Sequence, residues 1–380
     1  MKYLYGLLLG VLIGGMACAG HEGATDAGTG NGGATDSGVP DSGAPDAGAV
    51  FFPADNPNIQ YMGRVDFSNP KLPRFWAPGV VVSLKFRGPT CRVLLRDEVL
   101  YGKSHNYIGI AVDGRPAYRI KTHGQEDTLV ITGADGAMEH VVSICKDTES
   151  GIGWLELVGV LADSLLPPPT LPERKIECIG NSITCGAGMD LADIPCDKGE
   201  WYDQHNAWMS YGALTARALK AQWHLTAVSG IGLIHSCCKM TETMPEAFDK
   251  MNGRENTGAW DFSLYQPDVV TICLGQNDGI QDSTAFCGAY LRFIGQVRHV
   301  YPKAQIVLLT SPMGNAELTA VLKRYIGGVV AAMRRAGDER VSDYFFSRQW
   351  SHGCGGHPDM GDHSAIAGEL TGYLRGLMGW

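Results

Sequence analysis

Three short segments carry residue types able to perform acyl transfer. In the first, Ile179-Gly180-Asn181-Ser182-Ile183-Thr184-Cys185-Gly186, an apolar run leads into a Gly-flanked Ser. In the second, Leu274-Gly275-Gln276-Asn277-Asp278, another apolar run leads into a Gly-x-Asn-Asp turn, and Gly356-His357-Pro358 places a His in a Gly-rich loop near the C-terminus. A neutral hydroxyl attacks a carbonyl only with a base in hydrogen-bond reach, and the oxyanion that forms needs preorganised donors. Ser182, His357 and Asn277 supply those three functions. Singly, each has an ordinary structural explanation: Ser at a strand end is a turn or cap residue, Asn-Asp is a turn signal, and a His before Pro is held extended. Their conjunction, each in a loop after a strand or before the last helix, favours the chemical reading.

The elements that must position them follow from pattern. Beyond residue 173, apolar runs at 175–179, 223–228, 268–274, 305–310 and 341–345 alternate with helical spacing at 206–220, 285–300 and 318–335. Such alternation predicts a parallel sheet covered by helices on both faces, with ligands at the carboxyl ends of its strands. Ser182, Gly230, Asn277 and the His357 loop all fall at those ends. Residues 51–166 instead show short β-like runs at 80–86, 91–95, 107–112, 128–132 and 139–144, punctuated by Gly, Pro and Asp, which predicts a β-sandwich. Pro167-Pro168-Pro169 then forms a stiff connector to an α/β domain at 173–380.

The chain has 380 residues, 44% of them hydrophobic, enough for two cored domains. A net charge of -9 without a basic, aromatic-interleaved stretch excludes nucleic acid as the expected partner. Residues 1–19 read as an export signal: Lys2, an apolar run, then small residues. Ala17-Cys18-Ala19 fits a small-x-small cleavage site, while Met16-Ala17-Cys18 fits a lipobox that would lipidate Cys18 and tether a secreted or cell-surface protein. The Gly/Ala/Asp/Pro linker that follows, residues 20–50, favours the tether and is expected to be disordered, since it holds too little apolar surface to offset ordering entropy. The membrane is then a partner only through that lipid, because the apolar run is too short for a durable span.

Eleven cysteines in an exported chain permit disulfides, and Cys185 with Cys196 is the first pair expected. Cys178 and Cys273 sit in apolar strands, where a buried free thiol is ordinary. His352, Cys354, His357 and His363, and likewise His235 with Cys237-Cys238, lack the paired spacing of a structural zinc site, so neither metal nor cofactor is expected. Trp201, Tyr202 and Trp208 admit two readings, a sugar platform or helix packing.

Gly180-Asn181-Ser182-Ile183-Thr184, Ser229-Gly230-Ile231-Gly232 and Gly275-Gln276-Asn277-Asp278 resemble the conserved blocks of the SGNH (GDSL-like) hydrolases, with Asn181 where Asp is commonest. With Tyr61-Met62-Gly63-Arg64, Lys146-Asp147-Thr148-Glu149, Trp260-Asp261-Phe262-Ser263 and Gly353-Cys354-Gly355-Gly356-His357-Pro358, the chain resembles carbohydrate esterase family two from about residue 58 onward. The resemblance implies a jelly-roll-like domain before a flavodoxin-like three-layer α/β/α domain. It also implies removal of O-acetyl groups from plant polysaccharides such as xylan or glucomannan. By position, Ser182 is the implied nucleophile and His357 the base and acid, with the Ser182 and Gly230 N–H groups and the Asn277 side chain as the oxyanion hole. One departure stands out: Gly355 occupies the place of the usual Asp, and Asp359 and Asp362 come only after His357. A Ser–His dyad oriented by a main-chain acceptor within Cys354–Gly356 is therefore expected. Other SGNH chemistry (lipase, thioesterase, acetyltransferase) and a polysaccharide-binding protein with degraded catalysis remain the rival readings.

Overall fold

The computed structural model describes residues 49–134 and 137–380; the segment expected to be an export signal, with Cys18, and the expected linker up to residue 48 lie outside the described residues. The first part is a sandwich of two antiparallel sheets, one of five strands and one of six. Thr90–Asp97 shows why: every second side chain is buried, the period-2 pattern of a strand with one face on a core. That core is Leu84, Phe86, Val93, Leu95, Ile108, Ile110, Val142 and Ile144, all within the sandwich.

The second part is built on five parallel strands, β1 (Arg174–Gly180), β2 (Ala221–Ala227), β3 (Val269–Ile272), β4 (Gln305–Leu309) and β5 (Val341–Tyr344), in the order β2-β1-β3-β4-β5. Helices α1 (Tyr211–Ala218) and α4 (Met360–Met378) cover one face, and α2 (Ser283–Val300) and α3 (Ala316–Arg335) the other. Local chemistry starts each long helix. Asp282 and Asn315 accept the Ala285 and Leu318 N–H groups at 2.9 Å, and Asp359 and Asp362 form a reciprocal capping box at the start of α4. Strand order reverses beside β1, so the chain leaves β1 and β3 on opposite courses and opens a crevice at their carboxyl ends. None of the described helices is long and apolar enough to cross a membrane.

Sandwich and α/β part are joined through buried polar groups. Arg64 donates from Nη2 to Glu177 Oε1 on β1 at 2.8 Å and from Nη1 to the carbonyls of Phe248 (2.6 Å) and Lys250 (2.9 Å). Glu177, fully buried, also accepts from Thr226 Oγ1 at 2.6 Å and from the Tyr301 hydroxyl. Trp223 Nε1 on β2 donates to the Gly79 carbonyl at 3.1 Å. Removing one partner of a buried ion pair leaves the other charge uncompensated. Arg64→Met is expected to lower the unfolding free energy by about 3–5 kcal/mol in a denaturant titration; a loss under about 1 kcal/mol would show that the pair does not hold the two parts together.

Candidate active site

Ser182 opens a one-turn helix, Ser182–Cys185, at the carboxyl end of β1. Asn181 caps it by accepting the Ile183 N–H at 3.2 Å, and Gly186 closes it in the left-handed region. Gly180 is required here: a Cβ would stand 2.0 Å from Thr184 Oγ1, so any side chain would push the turn off the strand. The Ser182 N–H, at the first helical position, has no intrahelical acceptor and is free by geometry to serve a ligand.

His357 Nε2 lies 2.8 Å from Ser182 Oγ, and its Nδ1 lies 2.9 Å from the carbonyl oxygen of Cys354. A carbonyl only accepts, so Nδ1 carries the proton and the Nε2 lone pair faces the Ser182 hydroxyl. The same carbonyl accepts the His357 backbone N–H at 3.1 Å. The acceptor is itself anchored: the Cys354 N–H donates to Gly188 at 2.8 Å, the Gly353 N–H to the His357 carbonyl at 2.7 Å, and Cys354 is disulfide-bonded to Cys196. Asp359 and Asp362 do not reach the ring; they cap α4, and Asp362 pairs with His352 at 2.8 Å. Burial lowers the proton affinity of His357 more than the Cys354 carbonyl raises it, leaving it below the ordinary histidine value of 6.5.

Gly230 follows β2 with φ +83°, and a Cβ there would lie 2.9 Å from Cys237 Sγ. The loop beyond it is held by Asp278, whose carboxylate accepts the N–H groups of Leu233 (2.9 Å), Ile234 (2.7 Å) and His235 (3.0 Å). Asn277, after β3, donates from Nδ2 to the Ile231 carbonyl at 2.8 Å, which fixes its amide plane against the same loop. Ser182, Gly230, Asn277 and His357 thus come from four loops at one edge of the sheet. The pair in direct hydrogen-bond contact is Ser182 with His357. A base-activated hydroxyl beside loops rich in fixed N–H donors can perform acyl transfer.

Two family models match: Carbohydrate esterase 2 N-terminal over residues 61–169, and the GDSL-like Lipase/Acylhydrolase family over residues 178–362. An acetylxylan esterase / glucomannan deacetylase of Cellvibrio japonicus is 32% identical over 86% of this chain and 91% of its own length. The chain belongs to carbohydrate esterase family two. The cellulase/esterase CelE of Acetivibrio thermocellus is also 32% identical over 86% of the chain, which spans 40% of that longer protein. Among solved structures, a family two carbohydrate esterase from Clostridium thermocellum in complex with cellohexaose superposes with TM-score 0.78 at 31% identity, covering 85% of this chain and 99% of that one. A family two esterase from Cellvibrio japonicus also gives 0.78, at 30% identity, over 87% and 98%.

The protein is a carbohydrate acetyl esterase of the serine-hydrolase type. In this family two esterase the expected Cys185–Cys196 bond does not form. Cys185 ends the Ser182 helical turn and points inward, its Sγ 3.4 Å from Glu149 Oε2, while Cys196 reaches across to Cys354. Cys237 and Cys238 are bonded to each other, and Cys178 and Cys273 are buried free thiols. Of the aromatics, Trp201 is exposed, Tyr202 is buried, and Trp208 lies under the Arg217 guanidinium at 4.1 Å. Sequence reasoning missed Glu149 and His205, two fully buried residues behind the site. Glu149 lies in the segment Lys146-Asp147-Thr148-Glu149, and no local pattern ties it to a loop 80 residues away.

Cys196→Ser unlocks the segment that supplies the His357 acceptor, so kcat should fall roughly 10- to 100-fold, since small misplacements of a reacting group carry such penalties. In the unmutated enzyme the acid limb of the kcat/KM profile should lie below pH 6.5, because a base of lowered proton affinity stays free to more acidic pH. An unchanged kcat in the variant would mean that the disulfide does not support the dyad.

Proposed function

We propose that this enzyme deacetylates plant polysaccharides of the xylan and glucomannan type, with Ser182 as nucleophile and His357 as general base and acid. The observation that carries the reading is the 2.8 Å contact between Ser182 Oγ and His357 Nε2, with the opposite ring nitrogen already committed to a carbonyl. The named activities of the Cellvibrio japonicus relative support the substrate class.

In the proposed reaction, His357 Nε2 takes the Ser182 hydroxyl proton as Oγ bonds the acetyl carbonyl carbon. The carbonyl electron pair moves onto oxygen, where the Ser182 and Gly230 N–H groups and the Asn277 amide stabilise it. Collapse breaks the bond to the sugar oxygen, which leaves with the proton from His357. Water then repeats the sequence on the acetyl-enzyme: His357 takes its proton, the hydroxyl adds to the acyl carbon, and Ser182 Oγ departs protonated as acetate is freed.

Acetate release from acetylated xylan and glucomannan tests this directly. Ser182→Ala should abolish it, and Asn277→Ala should lower kcat roughly 100-fold or more, the loss typical of one oxyanion donor. Undiminished release from the Ser182 variant would overturn the assignment of the nucleophile. Binding of both polymers without release by the unmutated protein would exclude them as substrates.

A further inference from the structure

A carboxylate from the sandwich touches both the Ser182 turn and the Gly230 loop. Glu149 follows the strand Glu139–Lys146 and is fully buried. Its Oε2 accepts the Ser229 N–H at 2.6 Å and the Cys185 thiol at 3.4 Å. Ser229 immediately precedes Gly230, and Cys185 ends the helical turn that Ser182 begins. One carboxylate therefore ties the nucleophile's turn to the glycine loop across the domain boundary. Its other oxygen, Oε1, has no hydrogen-bond partner among the described residues and faces His205 Nε2 at 3.8 Å, too long for a hydrogen bond.

A wholly buried carboxylate is retained only where the surroundings favour its charge. Burial raises the Glu149 carboxyl, yet the His205 ring and the Ser229 N–H outweigh it and hold it below the ordinary glutamate range. The group therefore stays ionised. Besides burial and the Cys354 carbonyl, two neighbours act on His357: His205 disfavours its protonation and Glu149 favours it. His363, also buried near the ring, is pushed down to about 3 and is neutral. Lys146, which burial lowers to about 7, donates from Nζ to the Thr148 and Glu149 carbonyls, and Arg254 Nη1 and Glu149 Oε1 both lie within 4.0 Å of where a Gly151 Cβ would stand.

We infer that Glu149 is a positioning residue of the esterase centre, holding the Ser229–Gly230 peptide in place and supplying from the sandwich domain the negative charge that the loop before His357 lacks. The inference rests on the reading of Ser182 and His357 as the reacting pair. An imidazolium forms beside Ser182 at each proton transfer, and a fixed anion lowers its energy even without touching it. The sandwich thereby takes part in the chemistry as well as in the fold.

The test is steady-state kinetics of Glu149→Gln and Glu149→Asp on an aryl acetate, with Ser182→Ala alongside and thermal melts to establish folding. Gln keeps an acceptor for the Ser229 N–H and loses the charge. Its kcat should fall about 10- to 100-fold with KM within threefold, and the acid limb of kcat/KM should move to lower pH, because the anion that favours protonated His357 is gone. Asp keeps the charge one methylene short, so its acid limb should stay in place while kcat falls. A purely structural role would lower the melting temperature and leave the pH profile unmoved. A folded Glu149→Gln enzyme with kcat within threefold and an unmoved acid limb overturns the inference. If Gln does not fold, Asp decides: reduced kcat with the limb in place and an unlowered melting temperature upholds the inference, and unchanged kcat, or a kcat loss that comes with a lowered melting temperature, overturns it. Activity remaining in Ser182→Ala would instead remove the catalytic reading beneath it, a failure the Glu149 variants cannot produce.

Discussion

Everything at this site depends on where one imidazole is held. Two contacts hold the His357 ring, Nε2 on the Ser182 hydroxyl and Nδ1 on the Cys354 carbonyl. A side-chain carboxylate in the second position would bring a full charge and its own rotamers. A carbonyl brings a dipole fixed by the main chain, so the burden of positioning moves to the backbone around it. That explains why the loop is so constrained. Gly188 must be Gly, since a Cβ there would stand 2.9 Å from the Cys354 oxygen, and the disulfide to Cys196 fixes the same residue from its side chain. The Asp359–Asp362 capping box pins the next helix directly after His357-Pro358.

The weaker acceptor has an electrostatic consequence. Burial already depresses the proton affinity of His357, which keeps the free base abundant at neutral pH but makes the imidazolium harder to form. Glu149 offsets part of that difficulty from across the domain boundary. Buried charge thus joins the two parts of the molecule at several points, among them Arg64–Glu177 on β1 and Glu149 beside the Gly230 loop. Asp278 plays the corresponding part from the turn after β3, gathering three consecutive N–H groups so that the Gly230 and Asn277 loops are tied together.

Much of this was legible in the sequence. The run at 107–112 coincides with the observed strand Tyr107–Val112, and the parallel strands with helices α2 and α3 fall within about two residues of their predicted spans, because apolar periodicity records burial directly, whereas α4 had no predicted span. Ser182 and His357 were legible as candidates because a strand-end Ser and a late His–Pro occur with Gly residues whose backbones need either close approach, as at Gly180 and Gly353, or positive φ, as at Gly355 and Gly356. Leu155–Ala162 went unread: buried on nearly every residue, it lacks alternation and gives no period to detect. Arg174–Gly180 and its neighbours share that continuous burial but were betrayed by the helices between them. The Cys196–Cys354 bond and the Glu149 contact join residues 158 and 80 positions apart, and no local pattern encodes such pairings. The carbonyl acceptor was legible only by subtraction, from the missing Asp at position 355.

That missing acid offers the most direct test of whether a main-chain carbonyl suffices. Gly355 adopts φ +61°, a left-handed conformation that Asp tolerates better than most residues, and a Cβ there would lie 3.6 Å from His357 Nδ1. Gly355→Asp therefore places a carboxylate beside the ring with little else disturbed. If the Cys354 carbonyl already orients and supports His357, kcat for acetate release should stay within tenfold of the unmutated enzyme. A rise of more than tenfold would show that the carbonyl leaves the base poorly held.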